Sequence, residues 1–261
     1  MPDLDAALAR LYDLDLAVDP GDTDLYLALA ERTGGPIIEL CAGSGRLAIP
    51  IAAAGHEIVA IDLDDAMLAR ARIAADRAGR ATAARISLVN GDLFAAEIPG
   101  AGGFHLAILA LNSILLLGGP RRQRRAIDIL AELVGPGGVV VVDAWQPLAE
   151  DLTRFDGRLG LEWLRPDPET GADVAKYASA WLDGATRRVT LTTIFEEGFQ
   201  GAAPVRWTRE DLLHLVSGEE LAMYAEDAGL VVEALAGDYD LAPLAAGDGR
   251  AILVARRPGG P

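Results

Sequence analysis

The sequence predicts an α/β protein built on a doubly wound parallel sheet, with a small antiparallel insertion. Three observations carry that prediction. Between residues 36 and 144, continuous apolar runs alternate with helical ones, the pattern of strands covered on both faces. A glycine-rich turn, Gly43-Ser44-Gly45, stands between the first apolar run and the helix after it. Beyond Trp145 the texture changes to alternating, β-branched segments broken by turn residues. With 261 residues the chain is long for one average domain and short for two, which suits one domain carrying a lid.

In chain order, Leu4, Leu8 and Leu11 recur at spacings of four and three and predict a first helix. A second helix follows Pro20-Gly21-Asp22, over residues 23–32. Pro36–Cys41 is a buried strand and Gly45–Ala54 a helix. Glu57–Asp62 is a strand, and Asp65–Ala78 a helix whose apolar face includes Met67, Leu68 and Ala71. Arg85–Asn90 and Phe104–Leu111 are strands, Pro120–Val134 a helix, and Gly138–Ala144 a valine-rich strand. Residues 158–164, 174–182 and 186–196 then read as an antiparallel lid, separated by Pro166-Asp167-Pro168 and by Asp183-Gly184, a hairpin signal. A capping box, Ser217-Gly218-Glu219-Glu220, opens a helix to Ala228 that Gly229 ends, and strands follow at Leu230–Ala236 and Arg250–Arg256. The expected organisation is a helical segment 1–35, a core 36–145, a lid insertion 146–210 and a core continuation 211–261.

Composition narrows the function. Hydrophobic residues make up 51% and charged ones 24%, which excludes intrinsic disorder. Aromatics are only 5%, so Leu, Val, Ile and Ala must build the core. The formal net charge of −16 repels phosphate backbones and anionic lipid, and no nucleic-acid partner is expected. Cys41 is the single cysteine, so no internal disulfide forms, as in a reducing cytoplasm. The start, Met1-Pro2-Asp3-Leu4-Asp5, lacks the basic and apolar regions of a signal peptide. The longest apolar stretch, Leu106–Leu117, has 12 residues with Asn112 and Ser113 inside it, too few to cross a bilayer. A cytoplasmic protein without a membrane partner is expected.

The first strand runs into Glu39-Leu40-Cys41-Ala42-Gly43-Ser44-Gly45-Arg46. Glycines at 43 and 45 let the backbone turn tightly beside a ligand, where free helix N–H groups accept negative charge. The second strand ends in Asp62, 19 residues beyond Gly43, a carboxylate placed to take two ribose hydroxyls. Together these features are a nucleoside-binding constellation. An NAD(P)-dependent oxidoreductase competes, because Gly43, Gly45 and Ala48 also satisfy the dinucleotide pattern. Against it stand the helical stretch ahead of the first strand, the charge of Glu39 where a pyrophosphate would lie, and the lack of a hydride-transfer constellation such as Tyr-x-x-x-Lys. A catalytically silent nucleoside-binding module is the third alternative.

The stretch Ile38–Arg46 resembles the first motif of class I S-adenosylmethionine (SAM)-dependent methyltransferases. Ala60–Leu68 is similar to their second motif, Asn90-Gly91-Asp92-Leu93-Phe94 to their third, and Gly135-Pro136-Gly137-Gly138 to the lead-in of their fifth strand. The resemblance is strong over residues 36–144 and continues in the Ala228-Gly229-Leu230-Val231-Val232 pattern. It implies a Rossmann-like seven-stranded sheet whose last strand is antiparallel, with SAM as cofactor and S-adenosylhomocysteine as product. Glu39 would order the methionine amino group, and Gly43 and Gly45 would admit the methionine moiety. Asp62 would hold the ribose, with Leu63 and Met67 against the adenine. Asp92 would accept from the adenine amine, beside Leu93 or Phe94, and Leu111-Asn112-Ser113 would close over the methionine end. His105 stands where many members carry an Asp, and Ala42 where Cys or another small residue is common.

Ligands of a doubly wound sheet sit beyond the carboxyl ends of its strands. His56 and His105 precede or begin strands and so fall at the opposite edge. Asp143, Trp145 and Gln146 fall on the chemical side, with Asp143 either a structural acid or an acceptor contact. Tyr12 either folds over the sulfonium or packs its helix. Tyr177, Trp163 and Trp181 line an acceptor pocket or form hairpin core. His214 reads as a packing residue. The one basic run, Arg121-Arg122-Gln123-Arg124-Arg125, opens a helix against its dipole and should stay solvated or pair with acids. The expected catalytic group is Tyr12, Asn112 and Asp143, with no metal. The reaction this implies is methyl transfer to N or O of a small-molecule acceptor, by a monomer or homodimer. The absence of a convincing histidine base tilts it toward an amine or an already acidic hydroxyl.

Overall fold

The computed structural model describes residues 3–198, 201 and 203–259. The first two residues of the start read above, Met1 and Pro2, lie outside them. The chain divides into two compact units, the smaller made of residues up to Val18 with Pro147–Leu215, and the larger of Asp19–Gln146 with Val216 onward. The N-terminal helical segment is therefore divided between the two units at Val18.

The elements run α1 (Leu4–Asp15), α2 (Thr23–Thr33), β1 (Ile37–Leu40), α3 (Ala48–Ala53), β2 (Ile58–Asp62), α4 (Asp65–Ala78) and a single turn α5 (Arg80–Ala83). They continue with β3 (Ile86–Asn90), β4 (Phe104–Leu109), a 3-10 turn over Ser113–Leu116, α6 (Pro120–Leu133), β5 (Val134–Trp145) and α7 (Ala149–Arg154). Then come β6 (Gly160–Pro166), β7 (Asp173–Asp183), β8 (Arg188–Gly198), β9 (Val205–His214), α8 (Gly218–Asp227), β10 (Val231–Ala236) and β11 (Arg250–Arg256).

In the larger unit seven strands lie in the order β10-β11-β5-β4-β1-β2-β3. Neighbours from β5 to β3 are parallel, and β11 runs antiparallel to both β5 and β10. The last strand alone is reversed, as the motif resemblance implies. β1 is buried at all four positions, and Val139–Val142 of β5 are fully enclosed, which explains the uninterrupted apolar runs. Helices start where the local chemistry directs. Asp64 Oδ1 accepts from the amides of Ala66 and Met67 to open α4, and Ser217 and Glu220 form the capping box of α8. The strand order reverses between β1 and β4, so the crevice at the ends of these two strands is the topological switch point.

Two boundaries differ from the sequence expectation for a backbone reason. α3 begins at Ala48, because Gly43 (φ 56°) and Gly45 (φ 82°) are left-handed and cannot join a helix. β4 stops at Leu109, because Leu111 (φ 47°) and Asn112 (φ 68°) are left-handed as well.

The smaller unit holds a four-stranded antiparallel sheet, β6-β7-β8-β9. β9 was not anticipated; Arg206, Arg209, Glu210 and Asp211 interrupt its apolar positions. The β7–β8 hairpin forms, but Asp183 pairs with Arg188 across four loop residues, with Arg187 left-handed (φ 52°). Ala7, Leu11 and Leu14 of α1 cluster with Val174, Phe195 and Trp207 of this sheet. Trp163 serves this core. Its ring lies 6.0 Å from Phe195, and its Nε1 donates to Asp15 Oδ1 at 2.8 Å. Tyr177 is half-buried and Trp181 exposed. No helix among the described residues is long and apolar enough to cross a membrane.

Candidate active site

The glycine turn carries the sheet's switch point. Cys41 leaves β1 with φ 56°, Ala42 N donates to Ile61 O at 2.9 Å, and Gly45 N turns back onto Ala42 O at 3.0 Å. A Cβ added at Gly43 would meet open space, whereas one at Gly45 would come 3.3 Å from Ile49 Cδ1. Gly43 therefore faces room for a ligand, and Gly45 serves close packing of the turn onto α3.

Glu39, the third residue of β1, has its side chain enclosed, 4% exposed. Oε2 has no hydrogen-bond partner, although it is buried. Burial raises the carboxyl from its ordinary 4.5 to about 8; Arg46 acts in the opposite sense, while Asp62 and Asp22 add to the rise. Arg46 is itself held by both oxygens of Asp22, at 2.6 and 2.7 Å. Asp22 stands at the N-cap of α2 yet makes no capping bond, and it is fully buried. A carboxylate left unsatisfied in a buried site is costly unless a cation arrives to meet it.

Asp62, at the end of β2, accepts from Gly43 N through Oδ2 at 2.7 Å and from Asp64 N through Oδ1 at 2.9 Å. Beside it opens a cavity of about 200 Å³ lined by Asp62, Leu63, Asp92, Leu93 and Phe94 among others, with Cys41 at its edge. Leu63, in the wall of this cavity, is 70% exposed. Burial and neighbouring acids push the Cys41 thiol up to about 12, so it stays protonated and is no nucleophile. Met67, in the first turn of α4, is buried and is not part of the cavity wall.

Across the ends of β4 and β5 lies a second polar group. Asn112 Oδ1 accepts from Trp145 N at 2.7 Å and from Arg250 Nη1 at 3.5 Å. Arg250 Nη1 also donates to Asp143 Oδ1 at 2.6 Å, while Tyr26 and Tyr239 donate their hydroxyls to Asp143 Oδ2 at 3.0 and 3.5 Å. Asp143 is fully buried, and its partners give it the structural role of the two read from the sequence, organising the strand ends. Burial first, then Asp143, raises both tyrosine hydroxyls well above their ordinary value, which excludes them as bases near neutrality. Leu111 and Asn112, both left-handed, sit together on the bend after β4. Tyr12 is half-buried on α1 of the smaller unit. His56 lies 3.9 Å from Glu31, and His105 Nδ1 3.1 Å from Thr33 O, both at the far edge as read. His214 pairs in register with Arg188 on the smaller unit's sheet. Among the described residues no cluster fit for a metal ion occurs.

Sequence reasoning missed Asp22, Arg46, Tyr26, Tyr239 and Arg250. Arg46 carried a signal, a cation between glycines and the apolar Leu47-Ala48-Ile49. Tyr239 and Arg250 carried none, because their partners lie 96 and 107 residues away.

Residues 37–138 match the family described as "Methyltransferase domain". An uncharacterised protein of Mycobacterium tuberculosis (strain ATCC 25618 / H37Rv) is 34% identical over 135 residues, covering 52% of this chain and 44% of its own length. The chain thus spans less than half of that relative. Among solved structures, the CcbJ methyltransferase from Streptomyces caelestis superposes with a TM-score of 0.78 at 20% identity, covering 94% of this chain and 92% of its own. SAM-bound CalS10, an amino pentose methyltransferase from Micromonospora echinaspora, gives 0.65 at 21% identity, over 90% and 88%. Sheet order, reversed last strand and glycine turn define the class I SAM-dependent methyltransferase fold. Residues 37–138 thus match a methyltransferase domain, and the chain as a whole shares that fold.

Proposed function

We propose that the protein binds SAM and transfers its methyl group to a small-molecule acceptor, with an amine of amino-sugar or similar natural-product type as the favoured acceptor. The buried, unpartnered Oε2 of Glu39 carries this reading. It sits where an α-ammonium group would satisfy it, and a nicotinamide dinucleotide would instead bring a pyrophosphate against an acid. The remaining residues fit the same ligand. Asp62 would hold the ribose, Leu63 and Leu93 would flank the base, Asp92 would accept from its amine, and Leu111 and Asn112 would border the methionine end.

When bound, SAM supplies a sulfonium methyl that is electrophilic without covalent help. The protein's own part is to orient and to exclude water. Arg46 and Asp22 fix the glycine turn, and Asp143 with Arg250 fixes the bend that carries Asn112. Asp143 and the two tyrosines at the strand ends are not placed to act as a base for the acceptor. Glu39 faces the ammonium, Asp143 is sealed, and both buried tyrosines are raised. An amine that arrives neutral needs none: nitrogen takes the methyl and gives its proton to solvent. The amino pentose acceptor of CalS10 is of that chemistry.

Calorimetric titration with S-adenosylhomocysteine and with NADH tests the cofactor. Micromolar binding of the first alone is expected, and uptake of NADH alone overturns the reading. Methylation of a panel of amino sugars and phenols, followed by mass spectrometry, then tests the acceptor, with amine products expected to dominate.

A further inference from the structure

Arg122 stands in the first turn of α6, where the helix dipole disfavours a cation. Yet its guanidinium is held in place, 4.4 Å above the ring of Phe94 and 3.8 Å from Asp92 Oδ2. It lines the same cavity as Leu63, Asp92 and Leu93. The preceding Gly118 (φ 94°) leaves room for it, since a Cβ there would come within 3.4 Å of Arg122 Cδ. Its side chain is 56% exposed, so neither burial nor core packing accounts for the placement. Two other arginines of the basic run have different tasks: Arg124 pairs with Asp227, and Arg125 with Glu132 at 2.7 Å.

A carboxylate and a guanidinium side by side on one wall present an acceptor and a donor together. Adenine presents the complement, an amine that donates and ring nitrogens that accept. We infer that Arg122 is a specificity-determining residue of the cofactor site, donating a hydrogen bond to a ring nitrogen of the purine beside Asp92. Phe94 orients the guanidinium through its ring face, and Asp92 keeps it at the cavity rim. This inference rests on the proposed binding of SAM and deepens it.

The test is calorimetry with S-adenosylhomocysteine and its 1-deaza, 3-deaza and 7-deaza analogues, each of which replaces one ring nitrogen by C–H. Wild-type protein should lose about tenfold in affinity for one of the three, the size of a lost hydrogen bond to a charged donor. In Arg122→Met the parent nucleoside should bind about tenfold more weakly, and the deaza penalty should vanish. Arg122→Lys should retain part of both. Melting temperatures should be unchanged, since the side chain is half-exposed. Equal binding of all three analogues by wild-type protein overturns the inference, as does a deaza penalty that persists in Arg122→Met. Either result leaves SAM binding intact, whereas wild-type protein that takes up none of the nucleosides overturns both readings.

Discussion

Gly43 donates its backbone N–H to Asp62 Oδ2 at 2.7 Å, across the ends of β1 and β2. One carboxylate thereby ties the glycine turn to the end of β2, the position proposed to hold the ribose. Its other oxygen is engaged at home, with Asp64 N at 2.9 Å. Asp62 is thus shaped before any sugar arrives, and little ordering is left to be done on binding.

Replacing it should separate these tasks. Asp62→Ala removes a charged acceptor and frees the turn, and should weaken S-adenosylhomocysteine by about 1.5–3 kcal/mol in calorimetry. Asp62→Asn retains one oxygen able to accept from Gly43 N and should lose less. Unchanged affinity in Asp62→Ala would remove this residue from the ribose.

Glu39 predicts a pH signature. Its folded pKa of about 8 lies above the ordinary 4.5, so the native state keeps a proton that the unfolded chain releases between those values. This contribution to stability is complete below pH 4.5 and declines as pH rises to 8. In urea unfolding, Glu39→Gln should abolish that decline and be the more stable protein at pH 8. An ammonium ligand should drive the carboxyl to ionise. At pH 6.5, calorimetry in buffers of different ionisation enthalpy should then show close to one more proton released by wild-type than by Glu39→Gln. Identical proton counts would place the ligand's ammonium elsewhere.

The core of this fold was legible because each of its signals is local. Pro36–Cys41 reads as a buried strand from its own residues, of which Ile37–Leu40 form β1, and Gly43 and Asp62 mark a nucleoside turn by spacing. What escaped was long-range or contradicted by composition. β9 pairs with β8 along its length despite four charged residues, because its alternate positions such as Trp207 supply the apolar face. Asp143, at a strand end, read as either a structural acid or an acceptor contact. Only the arrival of Tyr26, Tyr239 and Arg250 from remote parts of the chain shows it to be sealed.

The Asp143–Arg250 pair predicts an asymmetry between breaking and replacing. Asp143 is fully buried and Arg250 largely so, with side-chain exposures of 0% and 21%. Asp143→Ala strands a buried guanidinium and should cost about 3–5 kcal/mol in urea unfolding. The double variant Asp143→Leu with Arg250→Met removes both charges together and should recover a substantial part. It should still impair methyl transfer, because Asn112 then keeps only its bond from Trp145 N. Full additivity of the two single losses would refute the coupling.

The two glycines of the turn should fail in opposite ways when enlarged. Both hold left-handed backbone, φ 56° at Gly43 and 82° at Gly45, so any side chain costs about 1–3 kcal/mol of strain there. At Gly43 that strain is the whole penalty to the fold, because the added atoms enter open space. Gly43→Val should therefore fold with a lowered melting temperature, yet bind no S-adenosylhomocysteine, since the space it fills is the ligand's. At Gly45 even a methyl group meets Ile49 Cδ1 at 3.3 Å and Ala71 Cβ at 3.4 Å. Gly45→Val should thus unfold at markedly lower urea than Gly43→Val, whatever it does to binding. Normal nucleoside affinity in a folded Gly43→Val protein would show that the turn opens onto solvent rather than onto the cofactor.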